Sequence, residues 1–170
     1  MNEIFNRYSL RSYLDLPVPP EVIDRLVKAG FQAPSAHDQQ AWEVLVIQDR
    51  EMLGKLAETS KYSICLKDAP LALVVLLNKT EMTAPEFWQQ DLSALTQNVL
   101  IEAVHLGLAG VWLGVAPRRN RINLIRDVLE LPENILPFGI ISIGYPAKER
   151  TGRPRRYDNK IHYETYGTKG

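Results

Sequence analysis

The sequence predicts a sandwich of helices and strands, of the α/β or the α+β class, and three features predict it. Segments of strand and helix character alternate along the 170 residues, which is typical of helices packed on the faces of a sheet. The run Leu71–Leu77 is apolar throughout, as expected for a strand that is buried on both faces. The third feature is a long apolar helix from Asp91, ended by Gly107, and such a helix must be buried.

The helix after Asp91 is the segment around which the rest of the chain is organised. One of its faces carries four apolar residues at helical spacing, Leu92, Leu95, Val99 and Ala103. A second apolar set covers much of the remaining surface. Asp91 suits the start of the helix, because a carboxylate can accept the unpaired N–H groups of the first turn. One small domain has too little surface to cover this helix on every side, so we expect a second subunit to help.

Local patterns predict the other elements. A short helix is expected over Asn2–Tyr8, and a longer one over Pro20–Phe31, where a first-position proline and one apolar face favour it. Further helices are predicted over 50–59, continuing to residue 67, and over 117–129. Further strands are predicted over 42–47, 111–115 and 138–143, with loops over 33–41 and 78–85 and a short element of either kind over 160–166.

Composition fits one soluble domain over residues 1–170. The chain is 45% hydrophobic and has a net charge of zero, so it can build a core and has no overall attraction to nucleic acid or membrane. The N-terminus lacks the layout of a signal peptide, and the longest apolar run is too short to span a bilayer. Cys65 is the single cysteine. It is expected to be a small buried hydrophobe in a cytoplasmic protein.

Two basic segments are candidate anion sites. Arg7, Ser9 and Arg11 place two guanidinium groups and a hydroxyl within five residues, and these donors match phosphate oxygens. From residue 145 to 170 the chain has seven Lys or Arg against three Asp or Glu, a surplus that suggests an anion contact. The tail cluster consists of Arg153, Arg155 and Arg156. Solvated side chains are the alternative for both segments.

Two other segments are candidates for contact with a flat ligand. Pro34, Ser35 and Ala36, with Asp38 and Gln40 after them, form a loop between a helix and a strand. Small residues there let a ligand come close to the backbone, whereas an ordinary connection is the alternative. The glycines of 110–114 flank a tryptophan. They fit packing against a planar group, or equally the tight packing of a helix on a strand.

Motifs for several classes of chemistry are absent from the sequence. It has no Walker loop, no G-x-G-x-x-G, no C-x-x-C and no H-E-x-x-H. Its three histidines are far apart without metal-ligand spacing, and no nucleophile elbow suggests a Ser-His-Asp set. No aromatic-basic pattern of a nucleic-acid module is present. We therefore expect no metal site and no catalytic set of side chains.

Five motifs follow one another along nearly the whole chain. Arg7 begins an Arg-x-Ser-x-Arg element, and 33–42 matches Ala-Pro-Ser-x-x-Asn-x-Gln-Pro-Trp at all but two positions. Asp91 begins Asp-x-x-Ala-x-x-Gln-Asn, and Gly107 begins Gly-Leu-x-x-x-Trp-x-Gly. A Gly-Tyr-Pro turn at 144–146 precedes the basic tail. In this order the motifs resemble the nitroreductase family of flavin enzymes.

The resemblance implies a homodimer of α+β fold, with a mostly antiparallel sheet flanked by helices and a tail swapped onto the partner. FMN would bind in clefts at the subunit interface and supply the chemistry, so that no catalytic side chain is needed. NADH or NADPH would donate a hydride, and a nitroaromatic, quinone or similar small acceptor would follow in ping-pong turnover. The alternatives are a flavin storage or sensor protein without turnover, and specialised chemistry such as dehalogenation or flavin fragmentation.

The resemblance also implies which residues hold the cofactor. The basic element with Tyr8 would bind the phosphate and ribityl chain, the 34–40 loop would line the ring, and residues after the tryptophan would approach the ring's other side. The implied set is Arg7, Tyr8, Ser9, Arg11, Pro34, Ser35, Ala36, Asp38, Gln40, Leu113, Gly114 and Val115, with Arg155 or Arg156 adding charge. The partner's equivalent helix would cover Leu95 and Val99.

Two positions depart from the family pattern, Asp38 for asparagine and Ala41 for proline. An ionised carboxylate only accepts hydrogen bonds, so Asp38 cannot donate one to the flavin as an amide would. We expect either a lowered flavin potential or a contact moved to the flavin N3–H. The segment 78–88 is the expected lid over the acceptor site, and it is short.

Overall fold

A four-stranded antiparallel sheet forms the centre of the protein. The computed structural model describes residues 2–148, 152 and 155–169. The strands are β1 (Trp42–Ile47), β2 (Leu71–Asn78), β3 (Ala109–Gly114) and β4 (Ile135–Gly144). Their order is β1-β2-β4-β3, and every neighbouring pair is antiparallel. The predicted α+β fold with a mostly antiparallel sheet is therefore confirmed.

Helices cover both faces of this sheet. They are α1 (Glu3–Asn6), α2 (Pro20–Phe31), α3 (Arg50–Glu58), α4 (Trp88–His105) and α5 (Arg119–Val128). Leu71, Leu73 and Val75 of β2 pack in the core beneath α2 and α4, whereas Ala72 and Val74 pack in the core beneath α3 and α5. Burial on both faces explains why β2 is apolar throughout. No helix in the described ranges has the length and hydropathy needed to cross a membrane.

Several predicted boundaries differ from the structure. The first helix is shorter than 2–8, and the predicted helical continuation to residue 67 is only a 3₁₀ turn at Ile64–Lys67. The segment 78–88 holds two further 3₁₀ turns, and 160–166 forms neither a strand nor a helix. These stretches are short and polar or mixed, so local sequence gives them no strong periodicity.

The C-terminal end of α4 is as the sequence predicts. Gly107 has a φ of +74°, and its N–H donates to the Val104 carbonyl at 3.1 Å. The N–H of Leu108 donates to the Ala103 carbonyl at 2.7 Å. These two bonds form a Schellman motif, which needs the left-handed backbone that glycine adopts without strain.

The apolar face of α4 packs within its own subunit. Leu95 and Val99 are 0% and 1% exposed, beneath α2. A Cβ at Gly30 of α2 would lie 2.8 Å from Val99 Cγ2, so glycine permits the close helix crossing. The expectation that Leu95 and Val99 face a partner is therefore wrong. On the remaining face of α4, Gln97 is exposed, and Ala94, Ile101 and Val104 are half-buried.

Candidate functional site

The basic element Arg7–Arg11 belongs to an extended arm, residues 7–13, that lies beside β3. Ser9 pairs with Gly110 in a parallel bridge, and the Leu10 N–H donates to the Gly110 carbonyl at 3.1 Å. Gly110 allows this approach because a Cβ there would lie 2.5 Å from the Ser142 carbonyl oxygen. The arm is thus fixed to the sheet while the side chains of Ser9 and Arg11 stay exposed.

Tyr13 anchors the end of the arm in the core. Its hydroxyl contacts the Leu10 carbonyl at 3.0 Å, the Ser142 carbonyl at 3.1 Å and Ser142 Oγ at 2.8 Å. Burial raises the pKa of this phenol, so it stays a neutral hydrogen-bond donor. Burial likewise raises the pKa of the neighbouring Cys65 thiol, which fits the expected packing role rather than a reactive one.

Replacing Tyr13 with phenylalanine should lower the free energy of unfolding by about 1–3 kcal/mol, because the buried Ser142 hydroxyl loses its partner. Urea denaturation followed by circular dichroism measures the change. Tyr62→Phe is the matched control, since Tyr62 is 59% exposed and should change stability by less than about 0.5 kcal/mol. Equal stability of the two variants would contradict the anchoring role.

The arm borders two cavities, each of which has two basic side chains in its lining. One, of about 490 Å³, is lined by Arg7 and Arg155 together with α1 residues, Gly152 and Tyr157. The other, of about 370 Å³, is lined by Ser9 to Ser12 and Lys148. Lys148 was not among the predicted site residues. Its place in the basic segment 145–170, two residues after the Gly-Tyr-Pro turn, could have marked it as a candidate. Arg156 is exposed and lines neither cavity, and Arg153 lies outside the described residues.

The Pro34–Gln40 loop has an unusual backbone. His37, Asp38 and Gln40 have φ values of 51°, 52° and 44°, a region that non-glycine residues rarely adopt. Ser35 Oγ accepts the Gln40 N–H at 3.1 Å, and Gln40 Nε2 donates to Asp38 Oδ1 at 2.7 Å. Asp38 and His37 are both exposed, and a surface position is what the sequence predicts for His37. Strain of this kind is characteristic of ligand-binding segments held by their surroundings.

Asp91 holds this loop rather than starting α4. The helix begins one turn earlier, at Trp88, so the prediction that Asp91 caps it is wrong. The Asp91 carboxylate, in a residue only 6% exposed, accepts the Ala36 N–H at 3.0 Å and a hydrogen bond from Gln39 Nε2. A buried carboxylate needs such donors to offset its lost hydration. The local sequence could not show that its donors come from a loop more than fifty residues away.

The third predicted segment, Leu113–Val115, lies where β3 ends. Leu113 and Val115 are buried, whereas Gly114 is exposed, and a Cβ there would meet nothing within 4 Å. The two glycines flanking Trp112 therefore differ: Gly110 serves strand packing and Gly114 leaves open space. Trp112 itself packs against Phe138, with ring centroids 5.3 Å apart.

Within one chain, the arm and the loop lie at opposite ends of α4. The loop contacts Asp91 in the first turn. At the other end, His105 Nδ1 lies 3.2 Å from Glu3 Oε1 of α1, just before the arm. The fourteen residues between Asp91 and His105 span about 21 Å at 1.5 Å per residue. One chain thus brings Arg7, Ser9 and Arg11 together but does not bring them to the loop.

Comparison with known proteins identifies the family. The family model described as the nitroreductase family matches residues 4–64 and 59–145. A relative from Archaeoglobus fulgidus, named as a candidate NADH dehydrogenase/NAD(P)H nitroreductase, is 41% identical over 96% of this chain and 96% of its own length. The FMN reductase [NAD(P)H] of Bacillus subtilis is 29% identical over 98% of this chain and 75% of its own. The chain belongs to the nitroreductase family.

Solved structures agree with this assignment. A candidate NADH oxidase from Clostridium acetobutylicum superposes with a TM-score of 0.94 at 43% identity, covering 96% of this chain and 99% of that one. An FMN-dependent nitroreductase from Clostridium difficile superposes with a TM-score of 0.89 at 30% identity, covering 97% and 99%. The fold prediction is therefore confirmed at the level of the family. Across the part of the chain that the structure covers, no three His, Cys, Asp or Glu residues are placed to hold a metal ion.

Proposed function

We propose that the protein is an FMN-dependent oxidoreductase that takes a hydride from NADH or NADPH and reduces a small acceptor, a nitroaromatic, quinone or similar molecule, by ping-pong turnover. The observation that carries the proposal is the set of cations and the hydroxyl that line the cavities along the arm and suit a phosphate group. The strained, small-residue loop would receive the ring. Relatives at 41% and 29% identity that are named for NAD(P)H-dependent reduction support it.

The donor set fits FMN. Arg7, Arg11 and Arg155 with Ser9 supply the cations and hydroxyl that a phosphate group needs, and Lys148 adds a further cation. Pro34, Ser35 and Ala36, with Asp38 and Gln40, would line the isoalloxazine ring. Tyr8, Leu113, Gly114, Val115 and Arg156 complete the proposed set. When bound, the flavin supplies the hydride chemistry, which explains why the chain needs no catalytic acid, base or nucleophile.

A homodimer with FMN at its interface would bring together the arm and the loop, which lie at opposite ends of α4 within one chain. If two α4 helices pack antiparallel about a two-fold axis, the arm of one subunit comes beside the Pro34–Gln40 loop of the other. Large exposed apolar side chains near the arm and in the tail support such an interface, among them Phe5 at 77% and Tyr166 at 94%. The edge strand β1, with Leu45 and Val46 exposed, offers the tail of a partner a place to dock.

Purified protein tests the proposed function directly. We expect a yellow protein whose 450 nm band bleaches with NADH or NADPH under argon and returns when a quinone or nitroaromatic is added. A yellow protein inert to both nicotinamides would favour flavin storage or sensing instead. Turnover only with a halogenated aromatic would favour dehalogenation. A colourless protein that cannot be loaded with FMN would overturn the proposal.

Asp38→Asn should raise the reduction potential of bound FMN, because it removes a negative charge that opposes the charge of the reduced flavin. A change of one unit charge near the ring is expected to shift the potential by tens of millivolts, about 1 kcal/mol. Xanthine oxidase titration against a reference dye measures the shift, and Asp24→Asn, at an exposed position of α2, is the control. An unchanged potential and FMN affinity would show that Asp38 does not touch the ring.

A further inference from the structure

Gln39 lies at the centre of the loop, and its amide makes a hydrogen bond at every available position. Its Nε2 donates to Asp91 Oδ2 and to the Ala84 carbonyl, the latter at 3.2 Å. Its Oε1 accepts the N–H groups of Thr83 at 3.1 Å and Ala84 at 2.9 Å. An amide has two N–H donors and two lone pairs, so this half-buried side chain is fully satisfied.

These contacts join three segments that are distant in sequence. The loop is tied through Gln39 to α4, at Asp91, and to the turn around Ala84 that precedes α4. Gln39 itself has an ordinary helical backbone, with φ of −68°, while the residues on either side have positive φ. Strained residues persist only where surrounding contacts determine their conformation. The conformation of this loop therefore depends on its anchoring contacts more than that of a relaxed loop would.

In the motif Ala-Pro-Ser-x-x-Asn-x-Gln-Pro-Trp, which 33–42 resembles, Gln39 occupies a variable position between Asp38 and Gln40. The position therefore carries a role that the sequence pattern does not reveal. A glutamine is long enough to reach across to a buried carboxylate, and its two-sided amide can receive backbone N–H groups at the same time. Among the described residues, neither the exposed Asp38 nor the exposed Gln40 has a side-chain hydrogen bond to α4.

We propose that Gln39 is a positioning residue that holds the Pro34–Gln40 loop in the conformation that receives the flavin, by tying it to Asp91 and to the Thr83–Ala84 backbone. The inference rests on the proposed function, since that function assigns the loop to the flavin ring. It also makes the loop and the 83–84 turn of the lid segment one mechanical unit, so that a shift at the lid is transmitted to the flavin side.

Exchanging the amide and the carboxylate between positions 39 and 91 tests the proposal. Gln39→Glu keeps the acceptor for Thr83 and Ala84 but sets a carboxylate against Asp91, and we expect it to weaken FMN binding about tenfold or more. Asp91→Asn alone should also weaken binding, because it sets two amide donors against each other. In the double variant Gln39→Glu with Asp91→Asn, the hydrogen bond between the two side chains reforms in reverse, whereas the bond to the Ala84 carbonyl stays lost. FMN should therefore bind about threefold or more tightly than in Gln39→Glu alone, without reaching the parent affinity.

The readouts are the FMN dissociation constant of the apoprotein, from flavin fluorescence, and the absorption spectrum and midpoint potential of the bound flavin. Gln90→Glu is the matched control, since Gln90 is exposed on α4 beside Asp91 and should leave all three unchanged. Parent-like affinity and spectrum in Gln39→Glu would overturn the proposal, as would a double variant no better than Gln39→Glu. If Gln39→Glu does not fold, Gln39→Asn takes its place, and normal FMN binding there would count against the proposal.

Failure of the proposed function gives a different result. The parent protein would then bind no FMN in the same titration. The loop anchor is still measured in that case by amide hydrogen exchange in Gln39→Asn, whose shorter side chain withdraws the acceptor of the Ala84 N–H. Exchange should become faster at Ala84, which donates to Gln39 Oε1, and at Ala36, which donates to Asp91 Oδ1 and is released as the loop loosens. Unchanged exchange at both amides would overturn the positioning role independently of any cofactor.

Discussion

Leu95→Asp should prevent the protein from folding, with loss of the cooperative transition in thermal or urea denaturation. Leu95 is 0% exposed between α2 and the sheet. The substitution removes a core leucine, worth about 2–5 kcal/mol, and adds a buried carboxylate without a partner, which costs several more. The sum is comparable with the whole stability of an ordinary domain, about 5–15 kcal/mol.

Ile101→Asp is the matched control on the same helix. Ile101 is half-buried and shares the outer face with exposed Gln97, so the folded subunit tolerates the charge. We expect this variant to keep its circular dichroism spectrum but to dissociate on size exclusion and to lose FMN. A folded, dimeric Leu95→Asp protein would contradict the assignment of the two faces of α4. An Ile101→Asp monomer that binds FMN tightly would contradict the interface site.

Two defective variants should restore one FMN site when they are combined in a single dimer. Arg7→Ala with Arg11→Ala removes two phosphate cations from the arm, and we expect FMN affinity to fall about a hundredfold. Ala36→Trp fills the loop side and should exclude the ring. In a heterodimer, the intact arm of the second variant meets the intact loop of the first, so about one FMN should bind per dimer.

The heterodimer is isolated with two different affinity tags after mixing and refolding, and its FMN content is measured by absorbance. Parent chain paired with either variant is the control, because it holds about one FMN per dimer under either arrangement. If each site were built from a single chain, the heterodimer of the two variants would bind none. That result would also remove the reason for placing the site between subunits.

The sequence by itself determined the elements whose physics is local. The unbroken apolar run Leu71–Leu77 specifies a strand buried on both faces, and the structure has β2 there. Pro20 at the first helical position and the apolar face after it specify α2 with both ends in place. Gly107 ends α4 because its left-handed backbone is a property of the residue itself. The order of five short motifs was enough to identify the family.

Only the tertiary structure decided which surfaces meet. The spacing of Leu95 and Val99 marks an apolar face, but not whether α2 or a partner covers it, because both would bury the same residues. The partners of Asp91 come from the Pro34–Gln40 loop, and no local signal carries that information. Gln39 shows the same limit, since its role depends on four contacts with groups more than forty residues away. Residue type sets what a group can bind, and the fold sets what it meets.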